Sequence, residues 1–193
     1  MWEKLCLSLI WVKHSWRFIF AHKPLCESFS EDVIEIKGAH LCRSCCFLYL
    51  GLFAALLTLI IVNIDTLALE ITYAMSLLIC ITLSCPQIYK KLPRNLRDVL
   101  RLTLGSLITL TFFLILTGQF ILGGVGAAIL LAFRKRYNHH RAKRKLNACN
   151  SCSEYGKDKV CSGFAQQIVH IKRYQEEATD WKLASGYIPK ISN

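Results

Sequence analysis

LTLGSLITLTFFLILTGQFILGGVGAAILLAF, residues 102–133, contains no charged side chain. A helix crosses the hydrocarbon core of a bilayer with about 20 mostly apolar residues, or ~17 at the least. A helix in a soluble core rarely stays apolar on every face over such a length. At ~1.5 Å per residue the stretch is too long for one span, so it reads as two helices reversing at Gly118-Gln119. Upstream lie two more apolar runs, Cys46 to Ile64 and Thr66 to Gln87, the second broken only by Glu70. Together they predict spans at about 46–63, 66–85, 96–117 and 120–136. Pro86 closes the second, because proline continues a helix poorly. Asn95 with Asp98 reads as an N-cap and a first-turn carboxylate for the third. The fourth is short, with Arg134, Lys135 and Arg136 placed to snorkel at its end. The expected fold is all-α: an integral membrane four-helix bundle with an N-terminal interfacial helix and a cytosolic helical tail containing cysteines.

Composition agrees with this sorting. The 193-residue chain is 53% hydrophobic yet has 24 Lys and Arg against 13 Asp and Glu. Every basic residue lies in the N-terminal segment, the 86–101 loop or the C-terminal tail, and none lies at Asn63-Ile64-Asp65 or Gly118-Gln119. Cytoplasmic segments carry the Lys/Arg excess. An even number of spans puts all three basic segments on one side, which predicts a multi-pass protein of the cell membrane with both termini cytosolic. The expected division is 1–45, an N-terminal cytosolic and interfacial segment; 46–136, the spans; and 137–193, a basic tail.

Residues Leu5 to Phe20 are apolar, but Lys13, His14 and Arg17 interrupt them and no small-x-small site follows, so no cleavable signal is read there. Trp2, Leu5, Leu9, Val12, Trp16 and Ile19 recur every three or four residues. That stripe suits a helix lying in the membrane interface or one packed on the rest of the protein. The run from Arg134 to Lys145 is polybasic, and anionic lipid head groups attract such runs by about 1 kcal/mol per basic residue. No aromatic-interleaved module accompanies it, so nucleic acid is not an expected partner. Phe164, Ile168, Ile171, Tyr174, Ala178 and Trp181 predict an amphipathic helix reaching about Ala184, ended by Gly186. Gly123 with Ala127 and Gly124 with Ala128 have the spacing that lets membrane helices approach closely, within one chain or in a homo-oligomer. Glu70 is the carboxylate set inside a span. Such groups are functional candidates, although Glu70 also has Thr72 and Tyr73 nearby to bond and an outer helix end within reach.

Most of the ten cysteines cluster. Cys42 and Cys45 precede the first span, with Cys26, His22 and His40 before them; Cys149, Cys152 and Cys161 lie in the tail, followed by His170. Two-residue spacing presents two thiolates to one ion. Each cluster could complete its own site, or the two could combine. Zinc or an iron–sulfur cluster is the expected cofactor, held by Cys42, Cys45, Cys26, His22, His40, Cys149, Cys152 and Cys161. Thiol redox chemistry and inert thiols are the alternatives. The reducing cytosol disfavours structural disulfides.

His22, Ser28 and Phe29, then Leu41-Cys42-Arg-Ser-Cys45 and Tyr49-Leu50-Gly51, resemble the signature of an uncharacterised family of prokaryotic integral membrane proteins, a domain of unknown function. Asp98, Arg101 and Gly105 echo a later motif of that family. Ala21 and Glu27 replace a signature cysteine and arginine, and Cys26 stands one helical turn from the lost cysteine. The resemblance covers about 22–125 and implies a multi-span protein with a Cys/His cluster at one membrane face. It implies no activity.

No Ser/His/Asp set, paired carboxylates or phosphate loop is visible, so the chain does not read as an enzyme. A membrane thiol oxidoreductase is one competing reading, weakened because Cys42 and Cys45 are expected on the reducing side. A small transporter is another, weakened by the lack of a Gly/Pro-broken helix pair.

Overall fold

The computed structural model describes residues 2–21, 23–62, 65–89, 91–154 and 160–186, with all their side chains except those at 141, 144 and 145. The chain is mostly helical, as expected. Its order is α1 (Trp2–Ser15), a 3-10 turn (Glu27–Asp32), β1 (Val33–Ile36), β2 (Ala39–Cys42), α2 (Arg43–Ile61), α3 (Thr66–Leu83), α4 (Pro86–Tyr89), α5 (Arg94–Leu116), α6 (Phe120–Asn150) and α7 (Ser162–Ala184). The fold divides into two units. One combines the residues before Ser44 with those after Ser151; the other is the continuous stretch Ser44–Ser151.

The continuous unit contains three helices long and apolar enough to cross a membrane: α2, α3 and α5. They start and end within a few residues of the expected spans. Asp65 caps α3, its carboxylate accepting from the Ala68 N–H at 3.3 Å. Pro86 opens α4 at a first helical position, where its missing N–H costs nothing. One local expectation is corrected. Asn95 is inside α5 rather than at its N-cap, which is Pro93. Proline's fixed φ starts that helix earlier.

The reversal between α5 and α6 follows from Gly118. Its φ of +89° is left-handed backbone that glycine adopts without a Cβ clash. The Gln119 N–H bonds to the Leu114 carbonyl at 2.9 Å and the Gly118 N–H to that of Ile115 at 3.2 Å, which together close a Schellman motif. The fourth helix does not stop near 136. α6 continues for 31 residues to Asn150. Its apolar part runs only from Phe120 to Phe133, about 21 Å at ~1.5 Å per residue, so it is not among the three candidate spans. The Arg, Lys, Ala and Leu residues beyond it are good helix formers, and they carry the helix on as a polar extension.

Two glycine-mediated approaches hold this unit together. α2 and α5 cross with Gly51 and Gly105 in the seam. A Cβ on Gly51 would collide with the Leu102 carbonyl, and one on Gly105 with the Leu48 carbonyl. With the backbones this close, the Ser106 hydroxyl donates to the Gly51 carbonyl at 3.0 Å and that of Thr109 to the Leu52 carbonyl at 3.1 Å. The second approach joins α3 and α6. Gly126 leaves the space occupied by the Tyr73 hydroxyl. Tyr73 is fully buried and its hydroxyl lies 2.7 Å from Thr111 Oγ1, which itself donates to the Leu107 carbonyl at 2.7 Å. The Tyr73 hydroxyl is therefore the donor in that pair. Leu69, Leu77, Cys80, Leu100, Leu107 and Leu114 pack around it. Of the glycines expected to pack, Gly123 does, 2.6 Å from Ile115 by its would-be Cβ, while nothing lies near Gly124. Outside this core, Phe53, Leu57, Ile60 and Ile61 of α2 stand more than half exposed, an apolar surface of the kind lipid covers.

In the other unit, α1 packs against α7. The hairpin is an addition to the expected fold. β1 and β2 pair antiparallel, with Val33 opposite Cys42 and Ile36 opposite Ala39. Lys37 and Gly38 turn between them with φ of 49° and 77°, as a two-residue hairpin turn requires. The turn that follows α1 bonds alongside, through His40 N–H to the Arg17 carbonyl and Cys42 N–H to that of Phe20. Trp2, Leu5, Leu9, Val12 and Trp16 of the α1 stripe are all exposed, while Cys6, Leu7, Ile10 and His14 are partly covered. On α7, Ile168, Tyr174, Ala178 and Trp181 face inward, but Phe164 and Ile171 remain exposed.

Candidate functional site

The expected cysteine and histidine ligands divide between the units. Cys42 ends β2, buried, and Cys45 lies in the first turn of α2. Cys42 belongs to the first unit and Cys45 to the second, and Cys152 and Cys149 divide the same way. All described cysteines are free thiols. Cys80 is buried as a small hydrophobe, its sulfur 3.7 Å from the Leu100 carbonyl. His22 lies outside the described residues. His40 stacks on the Phe18 ring at 5.3 Å between centroids, and His170 packs against the same ring at 5.1 Å. Burial lowers the His170 pKa, and the charges of Arg173, Arg17 and His14 lower it further.

Two ligand candidates, Cys26 and Cys161, are near enough to interact electrostatically. Leu25 donates its N–H to the Gly163 carbonyl at 2.9 Å, which brings the start of α7 onto the segment before the 3-10 turn. A Cβ on Gly163 would stand 3.1 Å from the Cys26 Cβ, so glycine there permits the approach. Burial pushes the Cys26 thiol pKa up, and neighbouring Cys161 pushes it further. Among the described residues no group of three or more His, Cys, Asp or Glu side chains converges to hold a metal ion. Glu70 is half-buried one turn inside α3 and does not line the cleft described next.

That cleft lies in the continuous unit, has a volume of about 650 Å³, and was not anticipated from sequence. α5 forms its floor. Leu104, Ile108 and Phe112 repeat every four residues along one helical face, and Ile115 extends the row. α6 lines one side with Ala127, Leu130, Leu131 and Arg134, and α2 contributes Leu48 and Tyr49. From Leu100 to Ile115 the cleft follows α5 for about 22 Å at ~1.5 Å per residue. Most of its polar groups gather at one end: Ser44 and Cys45 at the start of α2, Ser84 after α3, Tyr89, Arg101, Arg134, Tyr137 and Asn138; Thr111, midway along, has its hydroxyl engaged with Tyr73 and the Leu107 carbonyl. Behind this end, buried Asp98 accepts from Arg101 at 2.7 Å. Tyr89 is 9% exposed, and burial raises its pKa against the opposing pull of Arg101. Pockets with an apolar body and a few convergent polar groups are the usual form of a ligand site.

The chain is thus a protein with three apolar helices of membrane-spanning length and a one-ended amphipathic cleft. No family model, no curated protein and no solved structure matches it.

Proposed function

We propose that this is a four-span membrane protein with both termini in the cytosol, and that it acts by binding an amphiphile from the bilayer in the cleft along α5. The observation carrying the binding reading is the cleft itself: an apolar floor about 22 Å long that ends in clustered polar groups. Four spans are supported by the confinement of every basic residue to three segments and by the packing of α6 alongside α5 and α3. Arg134, Lys135 and Arg136 extend the reach of a short fourth span by snorkelling. Reporter fusions after residue 63 and after Gly118 should read outside, and fusions after Lys91 and Gly186 inside. An outside reading after Gly186 rules out four spans.

A second reading concerns the thiols, and the Cys26–Cys161 approach favours it. Two adjacent thiolates repel each other, and a divalent cation relieves that repulsion. The expected site then combines the two clusters, with Cys26 and Cys161 as ligands to zinc or to an iron–sulfur cluster and His22 as a further candidate. This keeps the Cys/His cluster implied by the family resemblance but draws on the tail for one ligand. One preparation tests both readings. Protein purified anaerobically in mild detergent should retain an amphiphile that is released on denaturation, together with zinc or iron. Ile108→Trp should remove the amphiphile alone, and Cys161→Ser the metal alone. An amphiphile content unchanged by Ile108→Trp refutes the cleft reading; a metal-free protein refutes the thiol reading.

A further inference from the structure

The polar end of the cleft is chemically one-sided. Among the described residues that line it, the ionisable ones are Arg101, Arg134, three tyrosines and Cys45, and none is a carboxylate. Arg101 is already paired with Asp98, which is buried behind the wall. Arg134 has no ion-pair partner among the described residues, so the end keeps a net positive charge. Tyr89 adds a donor. Its hydroxyl is buried with no hydrogen-bond partner of good geometry, and the guanidinium of Arg101 beside it has only donors to offer. A buried phenolic O–H without an acceptor is costly unless something accepts from it. Burial keeps that phenol protonated, so it remains a donor at neutral pH. An anionic oxygen at this point would accept from Tyr89 and face Arg134, and charge-assisted bonds of this kind are the stronger ones.

We infer that the cleft selects an acidic phospholipid, its head group held by Arg134 and Tyr89 near Arg101 and its acyl chain laid along Leu104, Ile108 and Phe112. The inference rests on the amphiphile reading and adds the charge of the ligand to it. The adjoining polybasic part of α6 attracts acidic surfaces without selecting a site, so the charge inside the cleft must be separated from the charge beside it. Lys135 is the internal control: it neighbours Arg134 in sequence and does not line the cleft.

The test is a lipid titration of the full-length protein, delipidated in detergent and read by native mass spectrometry. An acidic and a zwitterionic phospholipid with identical acyl chains are compared. The acidic lipid should bind about fivefold more tightly, the effect of one basic contact at a membrane surface. Arg134→Gln should bring that ratio close to one, Tyr89→Phe should lower it, and Lys135→Gln should leave it unchanged. Ile108→Trp should abolish tight binding of both lipids, with a thermal melt confirming that the variant is folded. Inorganic phosphate in excess should not compete, since it lacks the chain. Equal binding of the two lipids, with both lost in Ile108→Trp, would overturn the acidic preference and leave the amphiphile reading standing. An acidic preference that survives Ile108→Trp, or that falls equally in Lys135→Gln, would locate it on the basic helix face and overturn the inference. Failure of both lipids to bind would overturn the inference and the amphiphile reading together.

Discussion

Gly51→Leu is expected to cause one of the largest losses of stability among single changes in the helical unit. A Cβ at this position collides with the backbone carbonyl of Leu102, and a backbone wall cannot yield as a side chain does. The α2–α5 seam must open, and the Ser106 and Thr109 bonds to the Gly51 and Leu52 carbonyls go with it. Overpacking typically costs about 1–3 kcal/mol, occasionally more, and interhelical hydrogen bonds in membranes average about 0.6 kcal/mol each. The expected total is therefore about 3 kcal/mol or above. Helical circular dichroism followed through a thermal melt in detergent measures it. Gly124→Leu is the reference, because nothing lies near Gly124. Equal melting of the two variants would show that the seam does not depend on Gly51.

An effect of similar size is expected at Tyr73, the largest of the fully buried side chains. Tyr73→Ala leaves a cavity among Leu69, Leu77 and Leu107 and should cost about 3–5 kcal/mol, as large aromatic truncations do. Tyr73→Phe removes only the hydroxyl that bonds Thr111, an expected loss of about 0.6–1.7 kcal/mol. A double-mutant cycle of Tyr73→Phe with Thr111→Val isolates the pair. Coupling indistinguishable from zero would mean that packing alone fixes Tyr73. Gly126→Ala should also destabilise, since the new methyl would occupy the position of the Tyr73 hydroxyl.

Local signals account for the parts of this structure that were legible in the sequence. The apolar runs mark α2, α3 and α5 to within a few residues, because lipid-length hydrophobic segments have few alternatives. Gly118 marks the reversal and Gly186 the end of α7, both through positive φ. The hairpin was missed although Val33-Ile-Glu-Ile-Lys-Gly38 carries its signature, a short alternating run ended by a glycine turn. The polar half of α6 carries two signals, a charge run that suits a basic tail and good helix formers that extend the helix, and the second decides its structure. A lone glycine such as Gly51 carries no spacing signal for helix packing, and its role follows from the Leu102 carbonyl that α5 brings against it. The cleft could not be read from any one segment. Its walls come from α2, α5 and α6, and its volume depends on how those helices cross. The two-residue spacing of Cys42 and Cys45 suggested a compact turn, but the chain changes there from strand to helix. The approach of Cys26 to Gly163, two residues after Cys161, has no local signal at all.

The unbroken course of α6 makes it a ruler. From Phe133, the last residue of its apolar part, to Cys149 near its end, the axial distance is about 24 Å at ~1.5 Å per residue. A stiff helix cannot shorten that interval without breaking backbone hydrogen bonds. If α6 is the proposed fourth span and Phe133 marks the edge of the hydrocarbon, the tilt of the helix sets the height of Cys149 over the membrane plane. A spectroscopic label on Cys149 would therefore record that tilt, and because the same rod carries Ala127, Leu130 and Arg134, tilt of α6 relative to α5 also changes the width of the cleft.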